Sequence, residues 1–141
     1  MAPHNIFLPV IAQVWLVIGL YGLLAQRKKL AAATAQVNEA RRALHADAWP
    51  DSVQQVNNNI ANQFELPVLF FVMLLALYSL DAAGHIAQAL AWIFVGSRYL
   101  HAYEHAGRNL VPRRRALFSV GVIAVLALSL CLLWAVVRHA H

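Results

Sequence analysis

The sequence predicts an all-α integral-membrane four-helix bundle of up-down topology, and two observations carry that expectation. Of 141 residues, 61% are hydrophobic and 12% are charged, against roughly 45–50% apolar and 25% charged in soluble domains. Four apolar stretches, at about residues 6–25, 60–80, 86–106 and 116–137, are each long enough to cross about 30 Å of hydrocarbon at about 1.5 Å per residue. A soluble helical domain would need polar helix faces, and the fourth stretch has almost none.

The first stretch has no Lys or Arg before it and is followed by QRKK at residues 26–29. Those flanks are the reverse of a cleaved signal peptide, so the segment is expected to remain as the first helix. The chain then reads as a single transmembrane domain over residues 1–141 with a long loop at 26–59. Arg27, Lys28, Lys29, Arg41 and Arg42 lie in that loop, and Arg108, Arg113, Arg114 and Arg115 lie between the third and fourth helices. By the positive-inside rule both basic loops face the cytoplasm, and both termini and the short turn at 81–85 face outward. Arg138 is the one basic residue that departs from this pattern. The net charge of +5 is concentrated beside membrane segments, which points to anionic lipid headgroups and away from nucleic acid. Cys131, the sole cysteine, lies in an apolar helix and is read as packing.

Within the long loop, LAAATAQVNEARRAL at residues 30–44 is rich in helix formers, so the first helix is expected to continue as a cytoplasmic stalk. WPDS at 49–52 interrupts it: Pro50 disfavours helix at Trp49, and Asp51 or Ser52 can cap the next helix. The second helix is expected to start near Val53 and to enter the membrane unbroken around Asn62.

Two polar stripes then stand out. At about 100° per residue, Asn58, Asn62, Glu65 and Leu69 share one face of the second helix, and Arg98, His101, His105 and Arg108 fall within about 80° on the third. A short turn at 81–85 joins these helices, so they should pack antiparallel, with Glu65 level with Arg98 and His101, and Asn62 level with Tyr103 and His105. An ion pair of Glu65 with Arg98 would relieve the cost of a lone intramembrane charge, about 2.5–3.5 kcal/mol or more. HAYEH at 101–105 matches an H-x-x-E-H zinc pattern, but Glu104 points about 80° off the stripe, and no metal site is assigned. NLVPRRRALF at 109–118 opens the fourth helix with Pro112 in its first turn. Since successive residues diverge by about 100°, one or two of its three arginines can face inward.

These motifs together resemble the MAPEG family, the membrane-associated proteins in eicosanoid and glutathione metabolism, in its bacterial-type members. Asn62 and Glu65 match the family's N-x-x-E, Arg98 and His101 match an arginine and histidine three apart, and Pro112 matches a proline preceding the catalytic arginine. The resemblance implies a homotrimer in the inner (cytoplasmic) membrane, with glutathione as co-substrate between subunits near the cytosolic face. It implies Arg114 as the catalytic residue, and Asn62, Glu65, Arg98, His101, His105, Arg113 and Arg115 as glutathione-binding. The implied activity is that of a glutathione transferase or peroxidase acting on a lipophilic small molecule with a small thiol. The alternative is a non-catalytic lipid-binding or scaffold protein of the same fold. Ala61, His105 and Ala25 depart from the family's glutathione-binding pattern, standing where glutathione-using members carry a basic residue, a tyrosine and an arginine.

Overall fold

A computed structural model of the chain describes residues 3–139. A short 3-10 turn at Pro3–Ile6 leads into α1 (Phe7–Ala33), and after a second 3-10 turn at Ala46–Ala48 come α2 (Asp51–Ala61), α3 (Leu66–Ser79), α4 (His85–Ala106) and α5 (Val111–His139). The described residues are all-helical, with no strand. Three rods, Pro3–Ala33, Asp51–Ser79 (α2 and α3 together) and Val111–His139, are long and apolar enough to cross a membrane, as an integral membrane protein requires. α4 is not among them, because Arg98, His101, Glu104 and His105 are spent on the interior of the bundle.

α1 is apolar on nearly every side, and at about 1.5 Å per residue its length of about 40 Å exceeds the hydrocarbon core. It stops at Ala33, well short of the stalk expected through residue 44. Ala35 adopts a left-handed φ of 53°, and its N–H reaches the Ala32 carbonyl while that of Gln36 reaches Ala31. These two bonds are a Schellman termination, which closes the last carbonyls and turns the chain aside. Residues 36–44 then fold back as turns: the Asn38 N–H bonds to the Ala48 carbonyl at 3.0 Å, with exposed pairs of Arg41 with Asp47 at 3.0 Å and Arg42 with Glu39 at 2.9 Å alongside.

The second rod is not continuous as expected. α2 ends at Ala61, residues 62–65 form a turn, and α3 restarts at Leu66. Pro67 is the cause: it has no N–H for the Gln63 carbonyl, and its ring clashes with that carbonyl in a straight helix, whereas in the first turn of a new helix it costs nothing. At the other end α2 starts at Asp51 with Pro50 as its N-cap, and neither Asp51 nor Ser52 supplies a capping bond. The face of α2 that turns inward carries Val53, Val56, Asn59 and Ile60, so Asn58, placed on the inner stripe by the sequence reading, is exposed and Asn59 is buried in its stead.

α4 packs most extensively on α5, and α3 also lies mainly on α5, so α4 meets the second rod chiefly through α2. The core has two apolar clusters. Phe70, Leu74, Ala91, Phe94, Val125 and Leu128 fill the end near the α3–α4 turn, and Leu20, Leu24, Val53, Val56, Ile60 and Ala102 fill the end near the long loop. Between them lies a buried polar layer of Gln13, Asn59, Gln63, Arg98, His101 and His105. Outside, Ile11, Trp15, Ile18, Leu75, Ile123, Leu126 and Leu130 are exposed, as a lipid-facing surface demands.

Candidate functional site

The polar layer is organised by the break in the second rod. With no continuing helix to take it up, the Asn62 carbonyl accepts a hydrogen bond from Arg98 Nη2 at 3.0 Å. Arg98 is fully buried and also lies over the Phe118 ring, 5.5 Å from its centroid. The side-chain amide of Asn62 donates to His105 Nδ1 at 3.4 Å, so in this arrangement that imidazole is neutral with its proton on Nε2. The levels expected for Asn62 and His105 therefore agree with the structure.

Glu65 does not. Its carboxylate forms no ion pair or hydrogen bond among the described residues, and it is exposed. Its charge is near enough to Arg98 to attract it without touching it. The expected contact of Glu65 with Arg98 and His101 presumed an unbroken helix; the turn at 62–65 shifts the phase, and the carboxylate swings off the inner face. Arg98 thus has a neutral carbonyl where a carboxylate was expected.

The arginines at the start of α5 are set by the preceding turn. Asn109 takes a left-handed φ of 55°, which Asn tolerates, and the buried Glu104 accepts the Leu110 N–H at 3.2 Å, fixing where α5 begins. Glu104 is thereby engaged in structure, and no group of three His, Cys, Asp or Glu among the described residues could hold a metal ion. In that first turn Arg114 points inward, half-buried, while Arg113 and Arg115 are exposed. Arg114 Nη1 donates to Asn109 Oδ1, and its own carbonyl accepts from His101 Nδ1 at 3.1 Å. A carbonyl can only accept, so His101 carries its proton on Nδ1 and presents a lone pair on Nε2 when neutral. Arg108 falls beyond the end of α4 and is exposed, outside the stripe.

Asn62, His101, Val111, Arg114, Arg115 and Phe118 line a cavity of about 190 Å3. Among the described residues, buried atoms of two of these lining side chains, His101 Nε2 and Arg114 Nε, have no hydrogen-bond partner, and neither do Nε and Nη1 of Arg98, which packs over the lining residue Phe118. Each unmet buried group costs about 1–3 kcal/mol, more when charged. Three arginines at a helix N-terminus also oppose the macrodipole, at about 0.3–1 kcal/mol each. Such an arrangement is suited to an anion and to a group that can surrender a proton to His101.

The sequence reading misses the scaffold beneath the site. Gln13 Nε2 donates to Gln63 Oε1 at 3.0 Å, Gln63 Nε2 donates to Asn59 Oδ1 at 3.2 Å, and Asn59 Nδ2 donates to the Ala102 carbonyl at 2.9 Å. This chain ties α1, α2 and α4 at the depth of Arg98. The signal was Gln13, a lone polar residue within an apolar first helix, which an intramembrane polar group makes worth flagging. A second tie is Arg27, which donates to the Ser52 and Ala106 carbonyls at 2.6 Å each, clamping α1, α2 and the end of α4. Arg27 is therefore engaged in the frame of the bundle.

No curated protein and no solved structure gives a significant match to this chain. The family model does: it matches residues 6–134, which with the helical membrane fold and the site just described makes this protein a member of the MAPEG family.

Proposed function

We propose that the chain is a membrane-bound enzyme of the glutathione-transferase or peroxidase type, working as a homotrimer of four-span subunits on a lipophilic electrophile and a small thiol. The observation that carries this reading is the set of unpartnered buried atoms of His101 and Arg114, which line the cavity at the start of α5, and of Arg98, which lies over its lining residue Phe118. A carboxylate of a thiol peptide answers the Arg98 guanidinium, and the sulfur lies by Arg114. The thiol gives its proton to His101 Nε2 and the cation holds the thiolate, which adds to the electrophilic carbon of an activated double bond: the carbon–sulfur bond forms as the π bond breaks, and the adjacent carbon takes the proton back from His101. For a hydroperoxide substrate, two thiols become a disulfide while the O–O bond is reduced to an alcohol and water.

The cavity supports the trimer as well. About 190 Å3 falls below the roughly 300–1,000 Å3 of small-molecule pockets, so one chain alone offers only part of a site. Glu65, a carboxylate exposed at the depth of a buried arginine, is better placed against a neighbouring subunit than against lipid. In the proposed assembly it completes the pocket of the next subunit. Ala61, Ala25 and the engaged Arg27 favour the alternative, a non-catalytic lipid-binding or scaffold protein, because they remove cations that would grip glutathione.

Purified protein conjugating a generic electrophile with glutathione separates these readings. Thiol-dependent turnover lost in Arg114→Ala is the outcome expected of the enzyme. Absence of turnover, together with no stabilisation by glutathione or any other low-molecular-weight thiol, would establish the scaffold.

A further inference from the structure

Away from the candidate site, at the end of the bundle that holds the α3–α4 turn, a groove of about 720 Å3 runs between that turn and the last two turns of α5. Its walls are apolar, with Ile86, Cys131 and Trp134 prominent, and its rim carries Asp81, His85, Arg138 and His139. Arg138 is the basic residue that departs from the positive-inside pattern. Among the described residues its side chain makes no ion pair and no hydrogen bond; its guanidinium lies over Trp134, 6.0 Å from the ring centroid. His139 Nδ1 is bonded to the Ala135 carbonyl at 2.9 Å, which leaves Nε2 for another partner. The acidic group at the rim, Asp81, stands against one permanent cation and two imidazoles.

We propose that this groove binds a membrane fatty acid, its carboxylate at Arg138 and its chain along Ile86, Cys131 and Trp134. Three features select this occupant. At the roughly 30 Å3 that a water-sized group occupies, the groove takes about two dozen such groups, enough for one acyl chain with its head and too few for a two-chain phospholipid. An apolar wall with a cation at one mouth suits an amphiphile whose head stays at the interface, and a guanidinium holds a carboxylate in a two-pronged bond. Finally, an arginine beside the C-terminal turn of α5 complements the macrodipole anywhere on that turn, whereas its position over the groove adds a function that the dipole alone does not require.

Cys131, the sole cysteine, lines this groove and reports on it directly. Full-length protein is placed in nanodiscs of phosphatidylcholine, and the rate of Cys131 alkylation by N-ethylmaleimide is followed with added oleate, oleyl alcohol or lysophosphatidate. Oleate should slow alkylation saturably, and Arg138→Gln should raise the oleate concentration needed by about tenfold, as loss of a charge-assisted bond of about 1.4 kcal/mol implies. Oleyl alcohol should protect about as poorly as oleate does in Arg138→Gln. Equal protection by acid and alcohol, an unchanged oleate requirement in Arg138→Gln, or protection by lysophosphatidate alone would overturn the proposal. So would Cys131 that is fully shielded before any fatty acid is added, the result expected of a second copy of the chain covering the groove. Arg114→Ala leaves this binding untouched, so its result is independent of the thiol reaction.

Discussion

The Asn62 carbonyl accepts Arg98 Nη2 at 3.0 Å, while Glu65, one turn along the same rod, does not reach that guanidinium. A backbone oxygen released by the interruption at 62–65 thus takes a role that a carboxylate would have filled in a straight helix. Nε and Nη1, two of the three guanidinium nitrogens, are left unmet, and that imbalance is what a bound carboxylate would correct.

Restoring the helix should therefore damage the site. In Pro67→Ala the Gln63 carbonyl regains an N–H donor and α2 can run into α3, drawing the Asn62 carbonyl back into the helix. A hydrogen bond to a charged group is worth about 1.5–3 kcal/mol, so thiol affinity is expected to fall by about tenfold or more while helical content by circular dichroism holds or rises. Unchanged thiol affinity in this variant would show that the break does not position Arg98.

Arg98 itself should trade stability for binding. Replacing a buried, incompletely partnered charge by an apolar side chain of similar volume is often neutral or stabilising, by about 1–4 kcal/mol. Arg98→Met is expected to keep or raise the thermal midpoint of the purified protein and to lose glutathione-dependent stabilisation. A lowered midpoint would mean that the guanidinium is a structural strut.

Two backbone positions give tests that bear on the frame alone. A Cβ on Gly121 would meet Ser97 Oγ at 3.2 Å and Leu66 at 3.5 Å, so this glycine lets α5 approach α3 and α4. Gly121→Val should destabilise by about 1–3 kcal/mol through overpacking, read as a lower denaturation midpoint in detergent.

Ala35, at a left-handed φ of 53°, holds the Schellman turn that ends α1. Gly in its place should stabilise by about 1 kcal/mol, since the left-handed region costs an L-residue about 1–2 kcal/mol. The same denaturation assay reads this as a raised midpoint; a lowered one would show that the turn is not strained.

Much of the fold was legible because membrane physics constrains it tightly: apolar runs of span length mark the rods, and WPDS and NLVP mark the boundaries before α2 and α5. The meeting of Asn62 with His105 followed from helical depth across a short turn, a relationship that survives local distortion. Glu65 failed because it lies past the interruption, where counting 100° per residue no longer applies. The signal for that interruption, Pro67 in the run ELP, was present, but a proline within an apolar helix is tolerated in membranes and does not by itself say whether the helix bends or restarts. Asn59 and Gln63 were missed for a related reason: the inner face of α2 is set by Val53, Val56 and Ile60, and the stripe through Asn58 competed with it.

The most direct test of the account is glutathione binding to the purified protein, measured by equilibrium dialysis for wild type, Arg98→Met and Arg114→Ala. Saturable binding in the range of about 1 μM–1 mM, weakened by about tenfold or more in both variants, is the predicted result. No saturable binding of glutathione or of any other small thiol, or equal affinity in all three proteins, would contradict it.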